Sequence, residues 1–187
     1  MAAYYYNGDM FEAYLTPTKN FQPGATAYNG MKLSRGVLTK NGKKVECAES
    51  MVHGLKRFIE WLNNACDDQT CQLILVAHNS TNFHAAVLMK NLRIVGLKLP
   101  SKVVFADTMD IMSQIKDKSH GRLQKLTLDA SMRFFFNNEG QGGHDANSTT
   151  MKLVELAHAA ARHLGFDNFP NYLMSNPYSI KQTYVIC

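Results

Sequence analysis

Five consecutive apolar residues, Leu73-Ile-Leu-Val-Ala77, constrain this chain more than any other stretch. They have strand length without polar alternation, the pattern of a central strand covered on both faces. The next five residues, His78-Asn-Ser-Thr-Asn82, are turn formers, and Phe83, Val87, Leu88 and Leu92 then recur at helical spacing. A buried strand, a polar turn and a helix from about Phe83 to Leu92 are therefore predicted, the unit from which α/β layers are built.

The flanking segments continue the alternation. Val103 to Ala106 reads as a second buried strand, and Asp107-Thr108 can cap a helix carrying Met109, Ile111, Met112 and Ile115. A short helix is expected within Leu123 to Phe136, then a loop over Asn137 to Gly143. A long helix is expected from about Asp145 to Leu164, with Gly165 at its stop. Upstream, Ala2 to Tyr6 and Met10 to Leu15 flank Asn7-Gly8 and predict a hairpin. Thr16-Pro17 closes it, an irregular region runs to about Glu46, and Val52, Leu55, Ile59 and Leu62 predict a helix from about Ala48 to Ala65. Phe83 and the methionines are expected in the core. The length of 187 residues suits one domain, taken as 1–169, with an irregular tail over 170–187 that holds Pro170 and Pro177.

A net charge of +5 and a pI near 9.0 fit a partner that carries phosphates. The densest basic stretch is Lys32, Arg35, Lys40, Lys43 and Lys44, equally readable as a solvated loop or as phosphate contacts. No apolar run reaches bilayer length, and the first residues lack the basic and apolar regions of a signal peptide. The expectation is a nuclear or cytoplasmic protein that is neither secreted nor membrane-bound. Cys47, Cys66, Cys71 and Cys187 form no CxxC pair and read as buried or incidental thiols.

Three segments in order resemble the DEDDh (DnaQ-like) 3′–5′ exonucleases of the ribonuclease H-like fold. His78-Asn79 followed by Phe83-His84 resembles the second exonuclease motif. Asp107-Thr108 resembles the Asp-Thr after the next strand. Leu126-Thr-Leu128-Asp129-Ala130 with His144-Asp-Ala146 resembles the third motif region. Phe11-x-x-Tyr14-Leu15-x-Pro17 and Asn29-Gly30 resemble the second and third strands, so the likeness runs along nearly the whole chain. It implies a ribonuclease H-like mixed sheet flanked by helices.

The chemistry of such a family needs carboxylates around two Mg²⁺ or Mn²⁺ ions and a histidine that takes a proton from the attacking water. Measured against that pattern the chain departs. No Asp-x-Glu strand precedes Ala2, His84 stands where the second motif carries aspartate, and Thr149 stands five residues after His144 in place of the third-motif aspartate. His144 alone keeps its family identity, as a remnant general base. Asp145 adjoins it but points about 100° away on a helix. His84 with His144 could bind a softer ion, though two histidines make an incomplete site. His78-Asn79 reads as satisfying backbone groups at the strand end. With the first strand missing, a closed-up or destabilised sheet is expected. The resemblance thus implies a non-catalytic exonuclease-like domain, without metal or cofactor, that binds DNA, RNA or a protein partner through the remnant cleft. Its alternative is an active exonuclease with an unconventional ligand set, or a truncated form of one.

Overall fold

The computed structural model describes residues 1–5, 8–65, 71–137 and 146–181. In chain order the elements are β1 (Ala2–Tyr4), β2 (Met10–Glu12), β3 (Tyr14–Thr16), α1 (Pro23–Asn29), β4 (Met31–Ser34), β5 (Val37–Lys40), β6 (Lys43–Lys44), β7 (Ala48–Ser50) and α2 (Met51–Asn64). After them come β8 (Leu73–Ala77), a π-helical turn (Ser80–His84), α3 (Ala85–Ile94), β9 (Val103–Asp107), α4 (Thr108–Lys118) and α5 (Leu128–Phe136). The described chain closes with α6 (Ala146–His163), α7 (Phe169–Ser175), a 3₁₀ turn (Pro177–Ser179) and β10 (Ile180–Lys181). The protein is mixed α/β with several small sheets. It divides into two compact units, one of Met1–Asp67, Asn91–Pro100 and Gly143–Thr150, the other of Asp68–Lys90, Ser101–Gly142 and Met151–Cys187.

In the first unit β1 and β2 form the expected hairpin, registered Ala2↔Glu12 to Tyr4↔Met10. The second strand is shorter than its run of strand formers. Ala13 still exchanges backbone bonds with Met1 at 2.9 and 2.7 Å; beyond it the chain changes partner, and β3 lies parallel to β7 with Leu15 opposite Glu49. Ser50 caps α2 by accepting the His53 N–H at 3.2 Å. The helix buries Leu55, Phe58 and Leu62 at helical spacing, and Phe58 meets Phe11 with ring centroids 5.3 Å apart. Gly54 lies so close to β3 that a Cβ there would overlap the Leu15 side chain.

The stretch expected to be irregular up to Glu46 is ordered. Pro23 starts α1, where its missing N–H costs nothing, and Gly30 ends it at φ +69°. Strands β4, β5 and β6 then form an antiparallel meander. Its two turns are the dipeptides Arg35-Gly36 (φ +50° and +79°) and Asn41-Gly42 (φ +50° and +79°). Positive φ at both central residues matches the right-handed twist of a tight hairpin, which is why these dipeptides order the segment.

In the second unit β8 lies parallel to β9 from Leu73↔Val103 to Ala77↔Asp107, and β10 lies antiparallel to β9. All five residues of β9 are buried. Among the described residues β8 has β9 as its one strand partner. The core against it gathers Ala106, Ile111, Ile115, Leu156, Ala160 and Tyr172.

The tail departs from expectation up to Lys181. Asn168 caps α7 by accepting the Asn171 N–H at 2.9 Å, and Pro170 falls in the first turn, where proline is tolerated. Phe169, Tyr172 and Leu173 bury one face. The Tyr172 hydroxyl accepts from Gln114 Nε2 at 2.8 Å and lies 3.3 Å from the Ser179 hydroxyl. The cysteine reading is also corrected, since Cys71 is disulfide-bonded, and Cys47 is an exposed free thiol. The methionines divide: Met112 and Met132 are buried, whereas Met10, Met151 and Met174 are exposed.

Candidate functional site

The motif residues of the second unit meet at one corner, where β8 and β9 end. Asp107 is the last residue of β9 and only 5 % exposed. Its Oδ1 accepts the Met109 N–H at 3.0 Å, capping α4, and its Oδ2 accepts the Thr81 N–H at 3.1 Å, pinning the π-helical turn. Each carboxylate oxygen therefore accepts from a backbone donor in the first turn of a helix.

His78 is held as firmly. Its Nε2 lies 2.6 Å from the Leu126 carbonyl, which can only accept, so Nε2 carries the proton. Nδ1 lies 2.9 Å from the Thr108 hydroxyl, a group that can donate to the neutral ring or accept from the protonated one. Thr108 is fully buried. One imidazole thus ties the end of β8 to the start of α4 and to the segment before α5. Burial lowers its pKa below the usual histidine value, while the Leu126 carbonyl and the Asp107 charge oppose that shift.

Asn79 adopts the left-handed conformation at φ +57°, and its Oδ1 accepts from Asn82 Nδ2 at 3.3 Å. The polar run from His78 to Asn82 leads into the wide turn Ser80–His84, with Ser80 buried. Phe83 is not a core residue. It is 56 % exposed and packs edge-on with His84, ring centroids 5.0 Å apart. The apolar residues of this stretch occupy two faces: Ala85 and Leu92 are buried, whereas Phe83 and Val87 face solvent. His84 shows part of its ring to water, and its pKa is lowered by lost hydration on the inner side and by His78, with Asp107 opposing.

The corner therefore brings together His78, Asn79, Phe83, His84 and Asp107. Thr149 is an exposed residue of α6 in the first unit, and His144 lies outside the described residues. Sequence reasoning missed Thr108 as a partner of His78, although its place beside the capping Asp107 was visible. The Leu126 carbonyl left no signal, because any residue supplies one. Among the described residues, no three His, Cys, Asp or Glu side chains gather in a way that could hold a metal ion.

The basic residues cluster separately, on the meander of the first unit. Register places Lys32 opposite Thr39 and Thr39 opposite Lys44, so these three share one face of the sheet. Lys40 and Lys43 pair with each other on the opposite face, where Leu38 is buried. Lys32, Arg35, Lys43 and Lys44 are exposed. Lys44 pairs with Glu46 at 2.6 Å, and Lys40 lies 5.9 Å from the centre of the Tyr14 ring. A second cluster escaped the sequence reading: Glu49 holds Arg57 at 2.6 Å and His53 at 3.4 Å, joining β7 to α2.

Among the described residues no helix is long and apolar enough to cross a membrane. No protein-family model matches the chain, and a search of curated proteins finds no match either. The class that the geometry defines is a mixed α/β protein with a histidine–aspartate corner in one unit and a basic meander in the other.

Proposed function

We propose that this chain is a non-catalytic exonuclease-like domain that binds nucleic acid, with the lysines and arginine of the β4–β6 meander meeting phosphates. The observation that carries the reading is the commitment of Asp107 and His78 to the fold. A carboxylate whose two oxygens accept backbone N–H groups, and an imidazole with both nitrogens engaged, have little left to offer a scissile phosphate. His84 supplies an imidazole where the resemblance asks for a carboxylate, and Thr149 supplies a hydroxyl. That donor set does not fit Mg²⁺, which takes oxygen ligands and is usually anchored by carboxylates. The exposed Lys32, Arg35, Lys43 and Lys44 supply what sequence-independent phosphate binding requires.

Incubating the protein with a 3′-extended, end-labelled single strand and Mg²⁺ or Mn²⁺ tests the non-catalytic half of the reading. The strand is expected to keep its full length. Shortening from the 3′ end that copurifies with the protein would establish the alternative, an exonuclease with an unconventional ligand set.

A further inference from the structure

Helix α3 turns an apolar stripe outward. Val87 and Ile94, seven residues apart, fall on one side of the helix. They are 45 % and 61 % exposed, while Ala85 and Leu92 on the inner side are buried. Phe83, one turn ahead of Val87, is exposed as well. Lys90 lies between Val87 and Ile94 on the outer side, and Arg93 follows three residues on, so two exposed cations run along one edge of the stripe. Single apolar side chains at a surface need no explanation, but a row of them at helical spacing marks a contact surface.

We propose that this face of α3 docks an acidic amphipathic helix of a partner protein. The partner's apolar side chains lie along Phe83, Val87 and Ile94, and its Asp or Glu residues meet Lys90 and Arg93. Charge complementarity chooses the occupant. No Asp or Glu stands between Asp68 and Asp107, a stretch that carries Lys90, Arg93, Lys98 and Lys102. An acidic partner therefore meets no like charge on α3 or on the chain either side of it, whereas a basic partner is repelled. A second copy of α3 fits poorly, because Lys90 lies at the middle of the stripe and either orientation of the pair brings the two ammonium groups close together. Nucleic acid would find cations, but Val87 and Ile94 give it neither a ring face nor a hydrogen bond. From Phe83 to Ile94 the stripe spans about 16 Å at about 1.5 Å per residue, which is about three turns of a partner helix. The stripe belongs to one continuous helix, so its geometry requires nothing beyond α3, and it stands whether or not the meander binds phosphates.

Fluorescence anisotropy of the full chain with two labelled synthetic helices tests the surface. Both peptides carry a Leu stripe over about four turns, one with Glu along the edges of the stripe and its twin with Lys. At physiological salt the Glu peptide should bind at least about tenfold more tightly than its twin, and Ile94→Gln should weaken that binding about tenfold. Lys90→Glu should shift the preference toward the Lys twin. Both positions are exposed, so the variants should keep the wild-type urea midpoint. The triple variant Lys32→Ala, Arg35→Ala, Lys43→Ala should bind the Glu peptide as wild type does, which separates this surface from the meander. Equal affinity for the two peptides, no binding of either, binding that survives Ile94→Gln and Lys90→Glu, or binding lost in the triple variant would overturn the proposal. So would retention of the chain on phosphatidylserine–phosphatidylcholine vesicles, or self-association, that Ile94→Gln abolishes, since the occupant would then be a membrane or a second copy.

Discussion

The corner at the ends of β8 and β9 and the meander of β4 to β6 hold nearly all the polar side chains that the sequence singles out, yet they use them in opposite ways. In the corner, Asp107 and His78 are drawn inward and spend their hydrogen bonds on Thr81, Met109, Leu126 and Thr108. In the meander, Lys32, Arg35, Lys43 and Lys44 stand on a scaffold whose backbone satisfies itself, and their charges face solvent. Polar side chains at strand ends can thus be taken up wholly by the fold. Exposed charges on such a scaffold, Lys44 with its Glu46 partner among them, are the better candidates for meeting a partner.

The corner can be broken most severely through its carboxylate. Asp107→Ala leaves the Met109 and Thr81 N–H groups without their acceptors and should cost about 2–4 kcal/mol, combining a lost helix cap with a lost buried bond. Urea unfolding measures it. A loss below about 0.5 kcal/mol would show that the corner is not structural, and the contrast with the meander would fail. The meander should yield less to a comparable change in its scaffold. Gly42→Ala forces a Cβ onto a residue at φ +79° and should cost about 1–2 kcal/mol, measured the same way. Nothing lies within 4 Å of that added Cβ, so the cost is conformational and not steric crowding by neighbours.

Legibility in the sequence followed how many readings a pattern allowed. Leu73–Ala77 was legible to the residue because a continuous apolar run between turn formers has one use in an α/β chain. Asp107 was legible as a cap for the same reason. Asn41-Gly42 carries the same hairpin signal as Asn7-Gly8, but the lysines around it drew the reading toward a loop, although long polar side chains sit comfortably on an exposed strand face. Pro170 read as a breaker because its effect depends on position: it is harmful inside a helix and harmless in the first turn. Phe83 was misplaced because its stretch carries apolar residues on two faces, and the π-helical turn before α3 shifts the angular register that would have chosen between them. The bond from His78 to Leu126, 48 residues away, has no local signature at all.

The central claim, that binding belongs to the meander while the motif corner serves the fold, is tested most directly by equilibrium binding of a labelled single-stranded oligonucleotide across a salt series. The comparison is between wild type and the triple variant Lys32→Ala, Arg35→Ala, Lys43→Ala. The account predicts that wild type binds with a negative dependence of affinity on salt. The variant should lose about tenfold or more at low salt and flatten the slope by about 0.7 for each phosphate contact removed, with its unfolding midpoint unchanged. Wild-type binding that the triple substitution leaves intact, or no binding even at low salt, would contradict it.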